Sequence, residues 1–298
     1  MLDIRGTILE LILRDVRVEL DAVRHQRPLP EIRRRMADAP PPRSLKTALL
    51  PGFGLIAEIK VCSPSQGSMR VENVAEAPAA YERSPIVRAI SVLTNATHFG
   101  MSIERLEQIR AASTKPVLRK DFIFDEYQVY EARAFGADAI LLMANLLEAG
   151  EMIRLYQTAR ELGLDVLFEC HSQAQIEAVP SGAEIYGINS RTFSSGADTY
   201  QAARQHRQAG GQEDLSTDVH QFDLVRHLPA PAVKVAESGV SADTVARLRD
   251  ALGYHAALVG TSLLLSHRGV DGELQLFEQA LARPSSAPAC SAGAGSKP

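Results

Sequence analysis

Eight short, almost unbroken apolar runs recur along this chain of 298 residues, and their number and spacing constrain its fold more than any other feature. They are GLIAEIK (54–60), RAISVL (88–93), KPVLRK (115–120), DAILLM (138–143), DVLFEC (165–170), EIYGIN (184–189), AVKVAE (232–237) and AALVG (256–260). None shows the strict in-out alternation of a half-exposed strand, which predicts parallel strands covered on both faces. The intervals carry helical spacing instead: Tyr127, Tyr130 and Ala134; Met152, Leu155, Tyr156, Ala159 and Leu162; Val245, Leu248 and Leu252. Ser241 is placed to cap the last of these helices and Gly253 to end it. Most strand-to-strand intervals are roughly 20 to 30 residues, the length of a βα unit. Eight such units, with no GxGxxG after the first strand, predict an α/β protein built as a closed (β/α)₈ TIM barrel rather than an open doubly wound sheet.

The flanks read differently. In residues 1–45, Leu9, Ile12, Val16, Leu20 and Val23 lay one apolar stripe along a helix, and Pro40, Pro41 and Pro42 end helical structure. This predicts a helical extension with a Pro-rich linker before a barrel over 46–283, and the Arg33-Arg34-Arg35 run reads as a solvated helix face. The segment 284–298 is small, polar and rich in Pro and Gly, the composition of a disordered tail. The 43-residue interval between Asn189 and Val233 predicts a mobile insertion around Gly210-Gly211-Gln212. A net charge of −4 lacks the basic excess of a nucleic-acid or anionic-membrane binder, and no apolar run is long enough to span a bilayer. Three cysteines, Cys62, Cys170 and Cys290, form neither a CxxC pair nor a disulfide frame, so a reducing cytoplasm is the expected compartment. No histidine pairs with another at ligand spacing, so no metal is expected; His171 reads as a loop hydrogen-bonder.

In a barrel, chemistry collects where strands end at their carboxyl side. Here the first strand ends in Glu58 and Lys60, which point the same way, and the third in Arg119-Lys120-Asp121. The fifth ends in Glu169, the sixth in Asn189 followed by Arg191, and the seventh in Glu237-Ser238-Gly239. Lysines and carboxylates converging on one mouth supply a coupled acid/base set, or a ring of structural ion pairs closing the barrel top. The small residues Ser238-Gly239 and Gly260-Thr261-Ser262 follow strands seven and eight, where this fold commonly binds phosphate.

At these residues the chain resembles a known family. IAEIKVCSPSQG (56–67), SVLTNATHFGMS (91–102), PVLRKDFIFDEYQVYEARAFGADAILLM (116–143), FEC followed by His171, GINSR (187–191), AESGV (236–240) and VGTSLL (259–264) are together similar to indole-3-glycerol phosphate synthase. The order and spacing match from Leu9 to Leu265. The resemblance implies a cytoplasmic carboxy-lyase of tryptophan biosynthesis that needs no cofactor. Its substrate would be a phosphorylated small molecule, 1-(2-carboxyphenylamino)-1-deoxyribulose 5-phosphate, whose indole ring it closes with loss of CO₂ and water. It also implies a monomer or weak homodimer, open to association with other tryptophan-pathway enzymes.

The same resemblance assigns roles. Lys120 looks like the general acid that protonates the ketone, and Glu169 is similar to the base of the later dehydration. Lys60 matches the lysine that bridges phosphate and reacting hydroxyl; Glu58 and Asn189 match the groups that hold this network. Ser63, Phe99 and Arg191 resemble substrate contacts, Phe99 beside the anthranilate ring. Ser238, Gly239, Gly260 and Thr261 look like the phosphate cradle. Val61 and Gln66 replace residues that are commonly basic in the family, and the segment 193–232 is unfamiliar. Two other readings stand beside this one. Phosphoribosylanthranilate isomerase shares the fold and uses a cysteine after its first strand, a position superficially like Cys62. A catalytically weakened paralogue would bind a phosphate ligand or a partner enzyme without turnover.

Overall fold

A computed structural model describes residues 8–64, 66–191 and 217–282. The insertion expected around Gly210, the tail 284–298 and Cys290 lie outside the described residues.

The eight apolar runs are the eight strands of a closed, all-parallel barrel. We label these β1 (Gly54–Ile59), β2 (Val87–Leu93), β3 (Val117–Lys120), β4 (Ala139–Met143), β5 (Asp165–Cys170), β6 (Ile185–Asn189), β7 (Val233–Glu237) and β8 (Ala256–Val259). Each pairs with its neighbours in chain order, and β8 closes on β1 with Gly54 opposite Ala256 and Ala57 opposite Val259. Their unbroken apolarity has the expected cause. Ile56, Ala89, Leu118, Leu141, Leu167, Val235 and Leu258 fill the barrel interior. Alternate residues such as Leu55, Ala57, Ile90 and Val92 pack outward in the larger helix-facing cluster. Ser241 and Thr244 form a capping box before the helix Ala242–Asp250, and Gly253 beyond it has φ +68°, as the cap pattern predicts.

The N-terminal segment forms two long helices, α1 (Ile8–Gln26) and α2 (Leu29–Asp38), broken where Pro28 enters. Leu9, Ile12, Leu13 and Val16 on α1 are buried in the cluster that holds Phe122, Met143 and Leu146 at the carboxyl ends of the strands. The first part of the predicted stripe therefore lies against the barrel mouth, while Leu20 and Val23 pack in the larger helix-facing cluster. Helix α2 packs on the helix Glu126–Ala134, and the arginine run is not merely solvated. Arg33 stacks over Tyr130 and Arg35 over Phe135, with the Arg35 guanidinium 4.2 Å from the ring centre. The Pro-rich segment is strapped across the strand amino ends. Arg110 Nη2 donates to the Pro41 carbonyl, Arg133 Nη2 to the Ala39 carbonyl, and the Arg43 amide to Asp138 Oδ1 at 2.7 Å. Leu45 and Leu49, on the short helix Leu45–Leu49, are fully buried in the same cluster as the barrel interior.

Candidate active site

Strand alternation delivers the polar groups to one place. Ile56 and Glu58 share the inner face of β1, and Lys60 follows on the same side. Glu58 and Lys60 are both buried, and Lys60 Nζ donates to Glu58 Oε1 at 2.6 Å. Two strands away from β3, Glu169 projects inward from β5 (Leu167, Glu169), and Lys120 Nζ donates to its Oε2 at 3.1 Å. The other Glu169 oxygen lies 3.1 Å from His171 Nε2. His171 thus pairs with a carboxylate, and among the described residues no group of three or more His, Cys, Asp or Glu could hold a metal ion.

Glu237 completes the cluster. Val233, Val235 and Glu237 share the inner face of β7, and Glu237 Oε2 lies 3.5 Å from Lys120 Nζ, an ion-pair distance longer than a good hydrogen bond. Neither Glu237 oxygen has a hydrogen-bond partner among the described residues. Room for this carboxylate is made on β6, where a Cβ at Gly187 would stand 1.9 Å from Glu237 Oε1.

These contacts set the protonation states. Burial, and then the neighbouring charges of Glu169 and Glu58, push the Glu237 carboxyl up to about 8. Burial would also raise Glu169, but Lys120 and His171 outweigh it and hold that carboxyl well below the usual range. Burial would lower Lys120, yet Glu169, Glu237 and Glu58 together carry it above an ordinary lysine. Glu58 is depressed because Lys60 and Lys120 overcome its burial. At neutral pH the mouth therefore holds two carboxylates, a charged Lys120 and a neutral carboxylic acid.

The walls divide by chemistry. A cavity of about 480 Å³ is lined by Lys60, Lys120, Glu169, Asn189 and Glu237 on its floor. Phe99, Phe122, Leu141 and Met143, with Leu9 and Ile12 from α1, supply an apolar side. The Phe99 and Phe122 rings stack with centres 6.3 Å apart at 26°. Arg191 enters after β6, its amide donating to Asn189 Oδ1 at 3.0 Å, and its neighbourhood is closed by the Arg191–Thr217 bridge. Ser63 lies in a two-residue ribbon after β1, where its hydroxyl accepts from the Gln66 amide at 3.1 Å.

On the opposite wall Ser238 has φ 66° and Gly239 φ 64°. Ser238 is the one non-glycine residue with positive φ among those described. The Ser190 hydroxyl donates to the Ser238 carbonyl at 3.0 Å and holds this left-handed pair in place. Gly260 precedes the turn Thr261–Leu264, and a Cβ there would lie 2.6 Å from Glu58 Oε1.

All twelve residues singled out from the sequence line this one cavity. Glu237, Phe122, Leu9 and Ile12 line it too and were not singled out as site residues. Cys62 does not line it. Its thiol faces the His98 carbonyl at 3.5 Å, outside the acid/base cluster. Val61 is also absent from the lining; it packs against Gly100, whose added Cβ would meet the Val61 Cβ at 3.0 Å.

The family model for indole-3-glycerol phosphate synthase matches residues 9–200. The chain belongs to that family. Indole-3-glycerol phosphate synthase of Saccharopolyspora erythraea is 37% identical over 264 residues, covering 87% of this chain and 91% of that one. The Chlorobium phaeovibrioides synthase is 38% identical over 266 residues, covering 87% and 95%. That of Micrococcus luteus is 35% identical over 283 residues, covering 92% and 98%. Membership in the synthase family makes the chain a carbon–carbon lyase of tryptophan biosynthesis, as the motifs imply. Solved structures show the same barrel at low identity. Thiamine phosphate pyrophosphorylase from Pyrococcus furiosus aligns with TM-score 0.54 at 14% identity over 80% of this chain and 98% of that one. 3-Hexulose-6-phosphate synthase from Salmonella typhimurium aligns with TM-score 0.51 at 16% identity over 77% and 98%. No helix among the described residues is long and apolar enough to cross a membrane.

Proposed function

We propose that this cavity closes the indole ring of 1-(2-carboxyphenylamino)-1-deoxyribulose 5-phosphate, with Lys120 as the acid and Glu169 as the base. The observation that carries the assignment is the Lys120–Glu169 contact of 3.1 Å, buried between an aromatic wall and a pair of small-residue loops. The anthranilate ring fits the apolar side at Phe99 and Phe122, and its carboxylate fits Asn189 and Arg191. The phosphate fits the Ser238-Gly239 and Gly260-Thr261 backbone, where the buried Ser262 hydroxyl has no hydrogen-bond partner among the described residues.

Ring closure breaks aromaticity for a moment and builds negative charge on the ketone oxygen. A fixed cation at about 3 Å lowers that barrier most, and Lys120 both stabilises the charge and delivers the proton. The iminium so formed is its own electron sink, so CO₂ leaves without a cofactor. Dehydration then needs a base at the ring and an acid at the departing hydroxyl, the tasks of Glu169 and Lys60. Glu169 is a weak base while Lys120 is charged beside it. Once Lys120 has given up its proton, the larger of the two charges that depress Glu169 is gone, only His171 remains, and its proton affinity rises for the step that uses it. Acid first and base second is thus an order built into one contact.

The enzyme is placed in the cytoplasm on its cysteine usage, and as a monomer or weak homodimer. Turnover of the carboxyphenylamino substrate, followed by indole fluorescence, tests the reading. Lys120→Ala is expected to lower kcat by about 10²–10⁴-fold, the usual contribution of a positioned acid. KM should stay within severalfold; near-normal kcat in that variant refutes the assignment.

A further inference from the structure

Lys120 sits at the end of β3, where the sheet holds it weakly. Its last ladder partner is Leu93 on β2, and β4 pairs only with Leu118 and Arg119. Something else must fix the ammonium to the fraction of an ångström that proton transfer requires. The residues on either side of Lys120 are charged and buried, Arg119 outside the cavity lining and Asp121 within it, with side chains each 5% exposed.

We propose that Arg119 and Asp121 form a positioning clamp that sets both the acid Lys120 and the ring wall Phe122. The inference rests on the catalytic role given to Lys120 above.

Every arm of the Arg119 guanidinium is engaged. Nε donates to Thr94 Oγ1 at 3.0 Å, Nη1 to the Gln128 carbonyl at 2.8 Å, and Nη2 to Asp121 Oδ2 at 3.2 Å. Nη2 also pairs with Glu131 Oε2 at 3.0 Å. The Thr94 hydroxyl donates in turn to Asp121 Oδ2, which closes a ring across the ends of β2 and β3. The second Asp121 oxygen accepts the Phe122 amide at 2.9 Å, and Gln128 Nε2 donates to the Phe122 carbonyl at 2.9 Å. Both peptide groups of the stacked Phe122 are therefore tied to the clamp that holds Lys120. Glu131 extends it to the turn after α1, accepting from Arg27 Nη2 at 3.0 Å.

Burying three charges is a poor way to gain stability, because desolvation consumes most of the attraction. Geometry is the better explanation, since the fork of Arg119 fixes direction as an apolar side chain cannot. The barrel offers an internal control. Arg110 pairs with the fully buried Asp138 at 2.8 Å at the other end of the strands, remote from the cavity.

The test compares Arg119→Lys and Asp121→Asn with Arg110→Lys. Asn keeps an oxygen for the Phe122 amide but loses the charge that engages Arg119. A displacement on the order of 1 Å can cost about 100-fold, so kcat should fall about 10- to 100-fold in the first two variants with KM within threefold. Arg110→Lys should lower Tm comparably and leave kcat unchanged. A clamp variant that folds and keeps kcat within twofold overturns the proposal. If both fail to fold, Thr94→Val removes one hydroxyl from the ring; a severalfold loss of kcat supports the clamp and an unchanged kcat overturns it. Lys120→Ala is measured alongside. Wild-type turnover in that variant defeats the catalytic reading itself, whereas an inactive Lys120→Ala with normal clamp variants defeats the clamp alone.

Discussion

Glu237 offers a test that needs no substrate. Its carboxyl is 1% exposed, rests beside Glu169 and Glu58, and titrates near 8 instead of the ordinary 4.5. A group whose pKa rises on folding holds its proton in the native state where the unfolded chain has lost it. Its contribution to stability is therefore full below 4.5 and is lost as pH climbs towards 8. At 1.36 kcal/mol per unit the whole rise corresponds to about 5 kcal/mol, and the part between pH 5.5 and 8 to about 3 kcal/mol. Glu237→Gln keeps the shape and cannot ionise, so it lacks this slope. Glu58, Glu169 and Lys120 stay charged in both folded and unfolded chains across that window, and their terms cancel between wild type and variant. The assay is denaturant unfolding of both proteins at pH 5.5, 6.5, 7.5 and 8.5. The wild type should lose about 3 kcal/mol relative to Glu237→Gln across the series. A difference that does not change with pH would mean that Glu237 is ionised beside Lys120, and the protonation pattern drawn from burial would be wrong.

Two substitutions probe the chemistry. Glu169→Gln keeps the reach of the side chain and removes the proposed base, so in a single turnover CO₂ release should persist better than indole formation; equal slowing would place Glu169 at or before ring closure. Gly260→Ala brings a Cβ to 2.6 Å from Glu58 Oε1, so Glu58 and its partner Lys60 must shift. That variant should lose kcat as well as phosphate affinity, and a rise in KM alone would show that the proposed cradle yields without disturbing the Glu58–Lys60 pair.

The parts of the molecule legible in the sequence are those governed by local rules. Strand runs, the Ser241 cap and the i+2 pairing of Glu58 with Lys60 each depend on residues a few positions apart. Glu237 shows where such reading stops. Its inward parity follows from Val233 and Val235, but its raised proton affinity depends on Gly187 of the neighbouring strand leaving space and on Glu169 two strands away. The stripe on α1 was equally plain, yet nothing local says that Leu9 and Ile12 lie against the barrel mouth; the shape of the mouth around Phe122 decides that. Arg119 and Asp121 were visible as charges flanking Lys120, while the ring they form with Thr94 exists only once β2 lies beside β3.

The neutrality of Glu237 also bears on how an anionic substrate is admitted. Among the described residues lining the cavity, Lys60, Lys120 and Arg191 are cationic, and Asp121 is matched by Arg119. If Glu58, Glu169 and Glu237 were all ionised, three carboxylates would offset three cations, and a substrate bearing a carboxylate and a phosphate would meet no net attraction. With Glu237 protonated one positive charge remains. Raising the pH through 8 adds the third carboxylate while Lys120 keeps its proton, and the phosphate is already dianionic in this range. At an effective dielectric of about 20 and a separation of about 7 Å, the added repulsion is about 2 kcal/mol per substrate charge. KM of the wild type should therefore rise at least about tenfold between pH 7 and 9.5, since 1.4 kcal/mol is a factor of ten. In Glu237→Gln, KM should stay flat over the same range. A wild-type KM that does not respond to pH, or one that rises equally in the variant, would show that the field at the mouth is set by other groups.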